Sequence, residues 1–208
     1  MADKRELVLK GLYEAERLRL SELAGADDPQ GEYLHPVFGT GCLTNGVMFI
    51  GEAPGAQETL QGMPFVGKAG RQLDELLSGA SIDRAQVYIT NAVKYRPVVR
   101  GPKSTKNRTP TRAELLAGTK LLMAEMEQVS PRVIVTLGNS PLFSVLYAHG
   151  MAERKVGEAH GQLITLSHGE STCRLFPCYH PASCIYNRTL KPVLAEDMQR
   201  LAEYLKTY

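Results

Sequence analysis

The chain has 208 residues, a formal net charge of +2, 43% hydrophobic and 22% charged residues. That balance is ordinary for a folded globular chain and excludes a disordered or collagen-like one. No apolar run approaches the roughly 20 residues of a membrane span. The opening stretch, "MADKRELVLKGLYEAERLRLSEL", mixes acids and bases throughout, so a cytoplasmic protein with no membrane partner is expected.

The length suits one domain over residues 1–208, with residues 1–45 as an N-terminal helical extension. Four short apolar runs then read as buried parallel strands: "VMFI" (47–50), "VYIT" (87–90), "VIVTL" (133–137) and "RLFPCY" (174–179). Helical patterns fall between them. "GRQLDELL" sets Leu73, Leu76 and Leu77 on one face, and "TRAELLAGTKLLMAEMEQV" opens with Thr111 as N-cap and Glu114 three residues on. "SPLFSVLYA" is a shorter helix, "QLITLSHGESTCRLF" a hairpin around His168-Gly169, and "KPVLAEDMQRLAEYLKTY" a closing amphipathic helix. This alternation predicts an α/β fold. The expectation is a three-layer α/β/α domain with a mainly parallel, four-stranded central sheet.

The stretch "GMPFVGKAG" (62–70) nearly spells a phosphate-binding loop, but it lies well past the strand ending at Ile50. Pro64 removes an amide, Phe65 fills the cradle, and Ala69 stands where Ser or Thr would hold magnesium. The loop therefore presents an aromatic ring rather than a triphosphate site. In open α/β sheets, ligands bind beyond the carboxyl ends of the strands. Those ends carry Glu52, Asn91 and His180: a carboxylate, a carboxamide and an imidazole. Each alone also fits a plain loop role; together with Phe65 they suit a planar heterocycle. No acid lies between Asp83 and Glu114, while Arg84, Lys94, Arg96, Arg100, Lys103, Lys106, Arg108 and Arg112 do. The segment 94–112 is thus a basic loop, suited to phosphate or simply solvated.

These residues sit in motifs that resemble the family-4 uracil-DNA glycosylases. The resemblance runs through "GEAPGAQETLQGMPFVGKAGRQLDELL", "YITNAVKYRP", "NRTPTRAE", "VIVTLGNSP" and "FPCYHPAS", in the family's order. It implies an enzyme that extrudes uracil from DNA and hydrolyses its N-glycosidic bond, leaving an abasic site. Carried over residue by residue, Phe65 stacks on the base and Asn91 reads its O4 and N3 edge. The backbone near Ala53 and Phe65 contacts the base, and Glu58 crowds C5 against thymine. Glu52 holds or activates water, and His180 donates to O2. Ile185 and Tyr186 would wedge the duplex, with Asn187, Arg188 and Lys191 on phosphate beside Lys103, Lys106 and Arg108 of the basic loop. The implied partner is uracil-containing DNA; a monomer is expected, because a search for single lesions needs no symmetry. The alternative is a DNA-binding protein for deaminated bases with weak or absent turnover.

The chain departs from that family at its iron–sulfur cluster. Tyr95 replaces a cysteine in "KYRP", and the N-terminal region holds no cysteine. Cys42, Cys173, Cys178 and Cys184 fit no C-x-x-C ligand pair and read as reduced thiols near the core. No metal and no cofactor are expected. Packing by Leu12, Tyr13, Leu18 and Leu20, with Tyr95 filling space, is expected where relatives ligate iron. "VVRGPKSTK" looks inserted, and Ala53 stands where many relatives have glycine.

Overall fold

Val47, Met48, Phe49 and Ile50 are all buried, but not in the same place. Met48 and Ile50 join one apolar cluster, Val47 and Phe49 another. Ile134 and Leu175 fall with the first; Val133, Val135, Leu137 and Phe176 fall with the second. Alternate side chains of a strand point to opposite faces, so one sheet separates the two clusters. A strand hidden on both faces has no polar side to show, which is why these segments run continuously apolar.

The computed structural model describes residues 3–24, 33–101, 104–168 and 171–207. The strands are β1 (Thr40–Gly41), β2 (Val47–Gly51), β3 (Tyr88–Asn91), β4 (Val98–Arg100), β5 (Thr105–Asn107), β6 (Val133–Leu137), β7 (Ile164–His168) and β8 (Ser171–Cys178). Six form a mixed sheet in the order β1-β3-β2-β6-β8-β7. β2 pairs in parallel with β3 and β6, and β6 in parallel with β8. The expected four strands are therefore corrected to six, because antiparallel β1 and β7 extend the edges. β1 is too short to leave an apolar run. β7 alternates buried and exposed residues, as an edge strand does. The turn of its hairpin with β8 at Gly169 lies outside the described residues.

Helices cover both faces. Residues of α1 (Lys4–Leu23), α4 (Arg112–Val129) and α5 (Asn139–Ala148) join the first cluster. Residues of α3 (Lys68–Gly79) and α8 (Leu190–Leu205) join the second. Shorter helices are α2 (Ala56–Gln61), α6 (Val156–Ala159) and α7 (Ser183–Tyr186). The capping box at α4 forms as its spacing predicts: Thr111 Oγ1 accepts from Glu114 N at 3.3 Å, and Glu114 accepts from Thr111 N at 2.7 Å. Among the described residues, no helix is long and apolar enough to cross a membrane.

Two expectations for irregular or packing segments change. The basic loop contains a hairpin, with Val99 opposite Lys106 in the β4–β5 pair. In α1, Leu9 and Leu20 are buried and Leu12 and Tyr13 pack on the core, but Leu18 is 65% exposed. Two residues are about 200° of helical turn, so Leu18 and Leu20 cannot share a face.

The chain leaves β2 for β3 on one side, then returns across β2 to build β6 on the other. That reversal opens a crevice at the carboxyl ends of β2 and β6.

Candidate active site

Glu52 follows β2 directly at that crevice. Across it, Ser140 in the first turn of α5 donates to Glu52 Oε2 at 2.7 Å. Burial raises the Glu52 pKa, and the Ser140 bond partly opposes it. Gly138, at φ 100°, makes the turn from β6 into α5. Asn139, also at this strand end, is turned away: its Oδ1 accepts from Val156 N at 2.8 Å.

Asn91 ends β3, opposite Gly51 in register and 2% exposed. Its carboxamide has no hydrogen-bond partner among the described residues, and it lines the cleft. Phe65 lies beside it. A Cβ placed on Gly51 would sit 2.4 Å from Asn91 Oδ1 and 2.5 Å from the Phe65 ring, so the two side chains close directly over bare backbone.

The glycine spacing of 62–70 serves this ring. Gly62 takes the left-handed conformation that ends α2. Gly67 begins α3, and its amide donates to Glu58 Oε1 at 2.7 Å. At Gly70 a Cβ would meet the Phe65 carbonyl at 1.9 Å, so only glycine admits this packing. Phe65 itself holds φ 55°, an uncommon conformation for a bulky residue. Such strain persists only where surroundings impose it. They do here: Arg84 donates to the Phe65 carbonyl at 3.1 Å. Glu58 also accepts from Val66 N at 3.1 Å and from Gly55 N at 3.2 Å. The start of α3 thus holds an anion, as helix N-termini favour, but the anion is the protein's own carboxylate.

His180 faces Phe65 at 6.1 Å between ring centroids, 29° from parallel. Its Nδ1 accepts from Ala182 N at 3.2 Å, which leaves the proton of the neutral ring on Nε2. Burial lowers its pKa to about 4, against the opposing pull of Glu58.

Glu52, Ala53, Glu58, Phe65, Asn91 and His180 all line one cleft of about 580 Å³. Ile185 and Tyr186 stand at its rim, 47% and 89% exposed. They occupy a one-turn helix, α7, rather than a plain loop. A second cavity of about 480 Å³ lies beside Arg132, at the opposite ends of the strands. Its His149 is already bonded through Nδ1 to the Val145 carbonyl at 2.8 Å.

The expected phosphate contacts divide. Lys106 and Arg188 are exposed, whereas Lys191 lies 3.6 Å from Glu75. Asn187 Oδ1 accepts from Thr189 N and Oγ1, at 3.1 and 2.7 Å, and so ties the loop to α8. Arg108 grips Glu114 in two bonds, at 2.6 and 2.8 Å. Lys103 lies outside the described residues. Ser140, which bonds Glu52, and Asn107, which lines the cleft, escaped sequence reasoning. Ser140 had a signal, since "GNS" follows a buried strand. Asn107 is brought in by the β4–β5 hairpin, where Arg96 Nε holds its Oδ1 at 2.7 Å.

The cysteines do not fit a four-thiolate cluster. Cys173 packs against one core cluster and Cys178 lies in the other, across the sheet. Tyr95 donates to Glu114 Oε1 at 3.1 Å and meets Tyr33 edge-on at 4.5 Å. Among the described residues, no group of three or more His, Cys, Asp or Glu is placed to hold a metal ion.

An α/β sheet with a strained aromatic ring, an unpartnered carboxamide and a neutral imidazole at its carboxyl ends has the parts to hold a planar, hydrogen-bonding ring. The chain belongs to the uracil DNA glycosylase superfamily, whose family model matches residues 38–206. It is 36% identical over 162 residues to the type-4 uracil-DNA glycosylase of Saccharolobus solfataricus, covering 77% of this chain and 72% of that protein. It is likewise 36% identical over 172 residues to the type-4 enzyme of Thermotoga maritima, covering 82% and 83%. The type-4 enzyme of Sulfurisphaera tokodaii is 34% identical over 158 residues, covering 76% and 69%.

Proposed function

We propose that this chain is a monofunctional uracil-DNA glycosylase that works as a monomer without metal or iron–sulfur cluster. The observation that carries the reading is the unpartnered Asn91 carboxamide, packed with Phe65 over Gly51. A carboxamide presents an NH₂ donor beside a carbonyl acceptor. Uracil matches them with O4 and N3–H. Cytosine presents a donor and an acceptor in the reverse order, and so leaves both unpaired. Phe65 supplies the stacking face.

Bond cleavage leaves negative charge on the base and positive charge on the sugar. His180 donates Nε2–H to uracil O2, where the charge gathers. A neutral donor in a sheltered pocket acts by preorganised electrostatics. Glu52 stabilises the sugar cation and takes a proton from water as its oxygen bonds to C1′. The N1–C1′ electron pair leaves with uracil. Glu58 acts by pinning Gly55, Val66 and Gly67, and hence the Phe65 loop, as well as by bordering the base. Ile185 and Tyr186 fill the gap left by the extruded base.

The reading is tested by incubating the purified protein with oligonucleotides carrying uracil, thymine or cytosine, with no added metal. Alkali-labile sites at uracil alone, from a colourless and iron-free preparation, are expected. Binding without cleavage would return the protein to the class of lesion-binding modules. A brown preparation that unfolds on iron chelation would reinstate the cluster.

The β4–β5 hairpin should govern affinity rather than chemistry. Lys103→Ala with Lys106→Ala is expected to weaken duplex binding and reduce its salt slope by about 0.9 for each phosphate no longer neutralised. Single-turnover cleavage at saturating protein should hold. A fall in that rate with binding unchanged would place the hairpin in the chemistry.

A further inference from the structure

Beneath Asn91 lies an ion pair that none of these roles uses. The side chains of Lys94 and Glu125 are 1% and 0% exposed, with Nζ and Oε2 2.5 Å apart. The ammonium also donates to Thr90 Oγ1 at 2.7 Å and to the Asn91 carbonyl at 2.6 Å. Three donors meet three acceptors, so the group is saturated. Glu125 reaches in from α4. It accepts from the Thr90 hydroxyl at 3.1 and 3.2 Å and from the Tyr13 hydroxyl of α1 at 2.8 Å. The Tyr13 hydroxyl in turn bonds that of Tyr88 on β3.

Burying a charge pair carries a desolvation cost that often cancels its attraction, so stability alone is weak grounds for one. The placement suggests more. Lys94 holds the carbonyl of the residue whose carboxamide faces the cleft. The same peptide and the next are pinned to the β2 end: Ala92 N donates to Gly51 O at 2.9 Å and Val93 N to Glu52 O at 3.1 Å. With Gly51 so close to Asn91 Oδ1, a small rotation of the Asn91 peptide would move the carboxamide off its line.

We propose that Lys94 is a positioning residue for base recognition, locking the Asn91 peptide so that its carboxamide meets O4 and N3 of uracil. Glu125, Thr90 and Tyr13 hold the ammonium at that carbonyl and connect it to α1 and α4. The proposal rests on Asn91 as the base reader.

The test pairs Lys94→Met/Glu125→Leu, which removes both charges together, with Thr90→Val, which removes one acceptor and keeps the shape. Apolar replacement of a whole buried pair commonly preserves folding. Single-turnover cleavage of uracil by the double variant should fall about ten- to a hundredfold, the scale of a small misplacement at a reacting centre. Its uracil-to-cytosine rate ratio should fall too, while affinity for abasic-site duplex stays within about twofold. Thr90→Val should lose rate and ratio in the same sense, about threefold or more, and Thr90→Ser should restore both. Asn91→Ala, measured alongside, keeps the two ideas apart. If it collapses the ratio while the folded network variants keep the native ratio and rate, Lys94 does not position the reader. If Asn91→Ala leaves the ratio intact, the base-reader assignment itself fails. Should the double variant not fold, the Thr90→Val and Thr90→Ser pair decides alone.

Discussion

His180→Ala is expected to slow single-turnover cleavage of uracil-DNA by about a hundred- to a thousandfold, the usual loss when one preorganised donor is removed. Affinity for abasic-site DNA should be nearly unchanged, because the imidazole acts on charge that appears only as the bond breaks. The pH profile supplies a second check. Burial sets the His180 pKa at about 4, so the ring is neutral throughout the working range. The rate should show no histidine step between about pH 5 and 8, where an ordinary imidazole would titrate. Any acid limb belongs instead to Glu52, whose pKa burial raises. Stability follows the same shift. The folded pKa of His180 lies below the ordinary 6.5, so the unfolded chain takes its proton first. The His180 contribution is complete above the ordinary value and is lost as pH falls through about 4. Glu52 has the opposite sign: its raised pKa favours the fold in acid, and that contribution fades as pH rises through it. A midpoint near neutrality in the rate, removed by His180→Ala, would contradict a neutral donor.

Asn91→Asp should erode selectivity more than it erodes binding. A site built to hydrogen-bond its substrate rejects the mismatched analogue by about 10⁴–10⁵. Replacing the amide nitrogen by a second acceptor repels uracil O4 and accepts the cytosine amino group. The uracil-to-cytosine ratio of single-turnover rates should fall by about a hundredfold or more. An unchanged ratio would remove Asn91 from base reading. Affinity for abasic-site DNA reports whether the cleft itself has survived the change.

The strand ends that border the cleft were legible because fully buried strands write themselves as apolar runs, and the next polar residue marks the end of each. Glu52, Asn91 and His180 were found that way, and Thr111 with Glu114 marked the start of α4. What stayed hidden depends on distance along the chain. Ser140 meets Glu52 across 88 residues, and Glu125 meets Lys94 across 31. Composition carries no record of such meetings. Leu18 misled because hydrophobic identity was read without helical phase. Glu58 borders the cleft as its motif implies, but its bonds to three loop amides join residues up to nine apart and leave no mark in the sequence. The β4–β5 hairpin escaped because short, exposed, basic strands lack the apolar signal that betrays a strand.

Tyr33, Tyr95, Glu114 and Arg108 join the segment after β3 to the start of α4 with phenols, a carboxylate and a guanidinium. None of these groups is drawn from a metal supply or cycles through oxidation states. On the proposed cluster-free reading, a repair protein fastened in this way needs no cluster assembly before its first encounter with DNA. It should then withstand chelators, which dismantle thiolate-bound iron.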